Sequence, residues 1–278
     1  MEIKKGEIMI KLVGIDLDGT LFDSKKIISE ENKIAIKKAK ELGCKVVIAT
    51  GRPLSGVKEV LNELDLIDDS NYVIVYNGGK ILNTGTNELI FSSTIKGNEV
   101  KKVYKQALEF NSNIHAFRKN EEFVNYRSNI YSDVEININH LEDKIIDFNE
   151  IKDEDEFIKT MIVDDEKRLN EIEGLISTEL TDNMTVVRSS KIFLEFLNPN
   201  VEKGLAILTL AKHLGIKPEE TMAIGDAGND LSMIKEAKIG VAMANASMIC
   251  KSHANYVTNK DNNNSGVAEA INKFIINA

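Results

Sequence analysis

Two aspartates, Asp16 and Asp18, stand one residue apart at the end of an apolar run, Ile8-Met9-Ile10-Lys11-Leu12-Val13, that reads as a buried strand. Burying an ionised carboxylate costs several kcal/mol unless it is paired or bound to a metal. Three more polar groups fall at comparable points. Thr50 follows the apolar stretch Cys44–Ala49, Lys203 opens an amphipathic helix, and Asp226, Asn229 and Asp230 follow Thr221–Ile224. In an open parallel sheet, ligands bind beyond the carboxyl ends of the strands, and these groups are expected there together. Carboxylates that converge repel one another unless a cation sits among them. Oxygen donors without clustered His or Cys suit Mg²⁺, which keeps several waters and takes one or two carboxylates plus phosphate. A lysine and a threonine hydroxyl at the same edge suit the non-bridging oxygens of a phosphate.

These groups need a frame to position them. Residues 8–16 read as a strand. Glu30 to Leu42 has helical periodicity, with Ser29 as N-cap and Gly43 just past the end. Cys44–Ala49 and Tyr72–Tyr76 read as two further strands, and Pro53 suits the first turn of a helix running to about Leu66. Fully apolar strands separated by helices indicate a parallel sheet covered on both faces. From about Leu82 the texture becomes more polar and antiparallel. Strands are expected at 88–95, 114–118, 122–126, 157–163 and 185–188, with helices near 98–110, 128–140 and 165–180. After Ser190 the first pattern resumes. It has a strand at 192–197, a helix at 201–214, strands at 221–224, 240–243 and 256–258, and a closing helix from Gly266 to Ile275. The expectation is an α/β, doubly wound, Rossmann-like core over 1–82 and 190–278, with an α+β domain inserted at 83–189. The Asn-rich stretch Lys260–Ser265 is expected to be a solvated loop.

Composition bounds the function. The 278 residues carry a formal net charge of −9, which argues against a general nucleic-acid binder with a basic face. The two cysteines, Cys44 and Cys250, are far apart, so reduced thiols in a cytoplasmic protein are expected. The apolar stretch Ile239–Cys250 spans twelve residues, against the roughly twenty that a membrane span needs. The leading MEIKKGEIM lacks the apolar segment of a signal peptide. One hypothesis is that translation starts at Met9 and residues 1–8 are leader read-through; the alternative is a short tail. Richness in Ile, Asn and Lys suggests an AT-rich bacterial genome.

The chemistry can be written from these residues. Asp16 attacks phosphorus and forms an aspartyl phosphate. Asp18 lies where the chain leaves the strand and can reach the leaving oxygen, so it donates a proton there. It then takes one from the water that hydrolyses the acyl phosphate. Asp226 and the Asp18 backbone carbonyl join Asp16 around the metal. Thr50 Oγ, the Gly51 N–H and Lys203 hold the phosphoryl oxygens.

Together these motifs resemble the haloacid dehalogenase superfamily of phosphatases, and within it the Cof-like branch with a large α/β cap (type IIB) inserted after the third core strand. The motifs are Asp16-Leu17-Asp18-Gly19-Thr20-Leu21, Thr50-Gly51-Arg52, the Asn77-Gly78 hinge, Lys203-Gly204 after Glu195, Gly225 to Asp230, Asn245-Ala246 and Gly266-Val267-Ala268. The stretched Asn-rich loop before Gly266 departs from the family pattern. The resemblance implies Asp16 as nucleophile, Asp18 as acid/base, and Asp16, Asp18 and Asp226 around Mg²⁺, with Asp230 as a carboxylate on the metal side or behind its ligands; the alternative for Asp230 is a cap on the next helix. It also implies phosphate or substrate contacts at Leu17, Thr50, Gly51, Arg52, Lys203 and Asn229. The expected function is Mg²⁺-dependent hydrolysis of a small phosphate monoester, a sugar phosphate or related metabolite, by a monomer or homodimer that binds neither nucleic acid nor membrane. The alternatives are a phosphotransferase or phosphomutase using the same aspartyl phosphate, and an inactive metabolite-binding regulator. Asp23 is expected to organise a loop or cap, His115 and His140 to be structural with substrate contact as the alternative, and His213 and His253 to be structural or exposed. Arg118 and Arg127 are read as ordinary polar residues, with contact to a second anionic group as the alternative. The acidic run Asp153–Glu156 is expected to be a solvated loop.

Overall fold

A computed structural model describes residues 9–118, 121–125, 130–139 and 142–277. The chain forms two compact units. The first comprises residues up to Gly51, Lys58–Phe91 and everything from Glu202 onward; the second comprises Arg52–Val57 and Ser92–Val201.

The first unit is built on an eight-stranded sheet. Across it the order is Tyr256–Val257, Ile239–Ala242, Thr221–Gly225, Leu12–Ile15, Lys45–Ala49, Tyr72–Val75, Lys80–Asn83 and Leu89–Ser92. The first six run parallel, and Lys80–Asn83 pairs antiparallel with Tyr72–Val75. Leu12–Ile15 is central and wholly buried, as expected of a parallel strand covered on both faces. Its Ile15 registers with Ile48 on one side and Ile224 on the other. The strands that follow it in sequence add on one side, and those that come late in the chain add on the other. The reversal at Leu12–Ile15 opens the crevice where doubly wound sheets bind ligands. Helix Lys203–His213 packs Ala206, Ile207, Leu210 and Ala211 against Leu12, Val47, Ile74 and Ala223. Helix Glu30–Glu41 begins as expected: the Asn32 N–H donates to Ser29 Oγ, and Glu30 and Glu31 lie in the positive first turn.

The second unit has a six-stranded sheet ordered Thr185–Ser190, Phe193–Leu197, Lys159–Val163, Asn113–Arg118, Glu121–Val124 and Glu142–Ile145. All the pairs are antiparallel except the last, which is parallel. A short ribbon pairs Ile95–Lys96 with Glu156–Phe157. Alternation along the strands separates two faces. Ile114, Ala116, Ile162, Leu194 and Phe196 pack with Val100, Val103 and Ala107 of helix Gly97–Glu109 and with Leu169 and Ile172 of helix Glu166–Glu173. The other face buries polar groups: His115 Nδ1 lies 2.6 Å from Glu122, and its Nε2 lies 2.7 Å from Ser132 Oγ. On the same face Lys159 donates to Glu195 at 2.6 Å and stacks over the Phe117 ring.

Several expectations are corrected. The strand expected at 192–197 forms, but Phe193–Leu197 pairs with Lys159–Val163 in the second sheet, not in the parallel one. Its apolar run was indistinguishable from a core strand because it is buried on both faces. The segment 88–95 divides, with Leu89–Ser92 at the edge of the first sheet and Ile95–Lys96 in the ribbon. The chain therefore makes two more strands of the first sheet after the third one before it leaves. The helix expected at 165–180 is two, Glu166–Glu173 and Thr178–Asn183, separated at Gly174. Residues 1–8, Arg127 and His140 lie outside the described residues. Among the described residues no helix is long and apolar enough to cross a membrane.

One turn carries an unusual local cost. Tyr76, Asn77 and Gly78 take successive positive φ values of 54°, 56° and 101°, a conformation that non-glycine residues adopt at a cost of about 1–3 kcal/mol each. A Cβ on Gly78 would come within 2.6 Å of the Glu202 carbonyl oxygen. Gly78→Ala should therefore lower stability by about 2 kcal/mol or more, measured as a shift of the urea unfolding midpoint. A shift indistinguishable from zero would show that the turn relaxes freely.

Candidate active site

The strand Leu12–Ile15 ends by handing Asp16 to the crevice; the Asp16 N–H still donates to the Ile224 carbonyl at 3.0 Å. The chain then curls back, with the Leu21 and Phe22 N–H groups bonded to the Leu17 carbonyl at 3.1 and 2.9 Å. Gly19 sits at φ +87°, and a Cβ there would meet Asp226 Oδ2 at 2.6 Å. Thr20 Oγ1 donates to Asp226 Oδ1 at 2.8 Å, which ties the first strand's loop to that of Thr221–Gly225.

Asp16, Asp226 and Asp230 place one carboxylate oxygen each within 4.8 Å of one another. Lys203, fully buried at the start of its helix, donates to Asp16 Oδ1 at 2.6 Å and to Asp230 Oδ1 at 2.7 Å. The other oxygen of Asp230 accepts the Asp226 and Ala227 N–H groups at 2.9 and 3.0 Å. Asp230 therefore folds its own loop and orients Lys203. Burial acts to lower the Lys203 ammonium, but Asp16 and Asp230 outweigh it and hold it above the ordinary lysine value. Burial raises the Asp16 carboxyl well above its ordinary range; Asp230 adds to this and Lys203 opposes it. Burial, reinforced by Asp230, raises Asp226 to about 6. Three carboxylates facing one ammonium are the donor set of a hard divalent cation, and the residues present fit Mg²⁺.

The remaining expected residues divide. Asp18 is half exposed and ion-paired with Lys26, which the sequence reading overlooked because nothing in Asp23-Ser24-Lys25-Lys26 distinguishes one lysine from the other. Asp23 organises that turn, accepting the Lys25 and Ile27 N–H groups at 2.8 and 2.9 Å. Leu17 has a wholly buried side chain, so only its backbone can meet a ligand. Thr50 is buried at the end of Lys45–Ala49; its N–H donates to the Ile74 carbonyl and its carbonyl accepts the Asn77 N–H. Gly51 lies against the Asn77 side chain. Asn229 Nδ2 donates to Asn77 Oδ1 at 3.0 Å, so Asn77 links the Thr50 and Asp226 loops. Arg52 belongs to the second unit, where its Nη1 donates to the Gly56 carbonyl at 3.2 Å. Arg118 pairs with Asp155 at 3.2 Å. His115 is structural, as expected, and the acidic run is ion-paired to Lys96, Lys101 and Arg118.

The raised Asp226 carboxyl has a consequence for the metal-free protein. In the unfolded chain this group loses its proton near its ordinary value of 3.8, and in the folded chain near 6. The folded state is therefore penalised progressively as pH rises between those values, and fully above about 6, by about 3 kcal/mol. Asp226→Asn keeps an acceptor for Thr20 and removes the penalty. In EDTA it should raise the thermal unfolding midpoint at pH 8 by several degrees and have little effect at pH 4. An equal shift at both pH values would contradict the assignment.

The family model of haloacid dehalogenase-like hydrolases matches residues 13–271. YxeH of Bacillus subtilis is 36% identical over 271 residues, covering 96% of this chain and 99% of its own. The crystal structure of a haloacid dehalogenase-like hydrolase from Bacteroides thetaiotaomicron superposes with a TM-score of 0.83 at 34% identity, over 96% of this chain and 100% of that one. The subclass IIB sugar phosphatase BT4131 superposes with a TM-score of 0.80 at 28% identity, over 95% and 98% of the two chains. A matching family model over nearly the whole length, and motifs that converge on one crevice, lead to one conclusion: the chain belongs to the haloacid dehalogenase-like hydrolase superfamily, in its Cof-like branch.

Proposed function

We propose that this protein hydrolyses small phosphate monoesters, sugar phosphates or related metabolites, by way of an acyl phosphate on Asp16. The observation that carries this reading is the buried Lys203, donating at once to Asp16 and to Asp230, with the half-exposed Asp18 two residues from Asp16. A binding site alone would need an ammonium and a cation for its anion; it would not need a second aspartate placed to exchange protons. The sugar-phosphate preference leans on the likeness to BT4131, a sugar phosphatase.

Asp16, held at one oxygen by Lys203, attacks phosphorus with the other. Asp18 passes a proton to the leaving oxygen, and in the second step removes one from the attacking water. The Lys203 ammonium, the Thr50 hydroxyl and the Gly51 N–H hold the phosphoryl oxygens against the charge that develops on them. Asp16, Asp226 and the Asp18 carbonyl would hold Mg²⁺, with Asp230 on the metal side, and the ion supplies neutralisation of the phosphate and carboxylate charges. The inserted unit, residues 92–201, is the candidate selector of the leaving group, and residues 9–51, 58–91 and 202–277 are the catalytic body.

Asp16→Asn retains an acceptor for Lys203 and should leave the fold intact while lowering phosphate release at least ~10³-fold; turnover near the wild-type rate would remove Asp16 as nucleophile. EDTA should silence the wild-type protein and Mg²⁺ should restore it, followed as phosphate released from a panel of sugar phosphates. Hydrolysis that is indifferent to chelation would remove the metal from the reading.

A further inference from the structure

The Asn-rich loop expected to be plain solvated surface makes a specific contact instead. Asn262 Nδ2 donates to the Phe22 carbonyl at 2.8 Å. Asn245, from the loop after Ile239–Ala242, donates through Nδ2 to the Gly19 carbonyl at 2.8 Å. The two asparagines are joined to each other, since the Asn262 N–H donates to Asn245 Oδ1 at 3.1 Å. Asn245's loop is in turn fixed to the site, because the Ser247 N–H donates to the Asp226 carbonyl at 2.9 Å. The Asn-rich loop is stiffened from within: the Asn264 and Gly266 N–H groups donate to the Asp261 carbonyl, and Asn264 Nδ2 donates to Asp261 Oδ1.

The turn thus clamped runs from Gly19 to Phe22, directly after Asp18. Its inner side is held by Leu21 and Phe22 N–H groups on the Leu17 carbonyl and by Thr20 on Asp226. Its outward carbonyls, at Gly19 and Phe22, have the two asparagine amides as partners. The two amides brace these carbonyls just beyond Asp18, whose half-exposed carboxylate is ion-paired with Lys26. Asp16 differs, being fixed by its strand and by Lys203.

We propose that Asn245 and Asn262 are positioning residues that aim Asp18 at the leaving oxygen. The proposal rests on the reading of Asp18 as proton donor. Loss of either amide should slow the step that needs the Asp18 proton and spare nucleophilic attack by Asp16. General acid assistance contributes roughly 10²- to 10⁴-fold, and a displaced donor forfeits part of it.

The test compares two esters on the Mg²⁺-loaded protein. One is an alkyl phosphate such as a hexose 6-phosphate, whose leaving oxygen needs a proton; the other is p-nitrophenyl phosphate, whose leaving group departs without one. Asn262→Ala should lower kcat/KM for the alkyl ester about 10- to 100-fold and that for the aryl ester less than about 3-fold. Asn262→Asp and Asn245→Asp keep the side-chain shape, remove the donor, and should show the same selectivity if the alanine variant folds poorly. Asn263→Ala is the control. It loses the acceptor of the Ser24 N–H and a long 3.4 Å contact from its Nδ2 to Asn262 Oδ1, neither of which reaches the Gly19 or Phe22 carbonyl, and should change neither value more than about 2-fold. Equal losses on both esters, or no loss on either, would overturn the clamp while leaving an active phosphatase. A wild-type protein that releases phosphate from neither ester would overturn the phosphatase reading, and the clamp with it.

Discussion

The site depends on one buried ammonium. Lys203 bridges Asp16 and Asp230, residues from the beginning and near the end of the chain, and no other cation is within reach to replace it among the described contacts of Asp16. Removing Lys203 would leave two buried carboxylates uncompensated, a loss of the kind that costs roughly 3–5 kcal/mol. Its helix can begin there because Asp230 is itself held by two backbone N–H groups. The Gly225–Asp230 loop, the entry to the helix and the end of the central strand are therefore fixed as a single arrangement. Burial, reinforced by the neighbouring Asp230 carboxylate, raises the Asp16 and Asp226 carboxyls although Lys203 opposes it. The same burial and like charge that disfavour three ionised carboxylates in the metal-free protein make Asp16, Asp226 and Asp230 a donor set that could hold a divalent cation.

Much of this was legible from residue types alone. Asp16, Lys203, Asp226 and Asp230 were each marked by an apolar strand or helix delivering a charge where burial would otherwise be costly, and the structure brings them together. Helix Glu30–Glu41 was legible from Ser29 and its first-turn glutamates. What resisted reading was pairing. Phe193–Leu197 and Lys159–Val163 are apolar runs like those of the parallel sheet, and neither periodicity nor composition says which neighbour an apolar strand will choose. Lys80–Asn83 was missed for a related reason. It is four residues long, follows three positive-φ residues, and shows burial that alternates, as an antiparallel strand's does. Lys26 was unreadable as a partner because nothing distinguishes it from Lys25, and Asn77 and Asn262 because their partners, Asn229 and Phe22, lie 152 and 240 residues away in the sequence.

The second unit applies a different solution to buried charge. The sheet face opposite its apolar core holds His115 against Glu122 and Lys159 against Glu195, with Ser132 of helix Ile130–Asn139 on the other ring nitrogen of His115. Neighbouring strands supply both members of the His115–Glu122 and Lys159–Glu195 pairs, so each carboxylate has a basic partner within the same sheet. The catalytic body leaves its charges in excess. The two units thus separate neutral buried polarity, which specifies shape, from uncompensated polarity, which attracts ligands.

The path of the chain between the units is unequal at its two junctions. On the way out, the Asp16 crevice is followed by Lys80–Asn83 and Leu89–Ser92, joined by a turn whose residues 85–88 are exposed. On the way back, Glu202 immediately precedes Lys203, and its carbonyl abuts Gly78. Length changes over evolutionary time can therefore accumulate at the outgoing junction, where a strand pair absorbs them. At the returning junction a single inserted residue would rotate the first turn of the Lys203 helix by about 100° and carry the ammonium off both aspartates. Divergence of the inserted unit among relatives should be anchored at its end and free at its beginning.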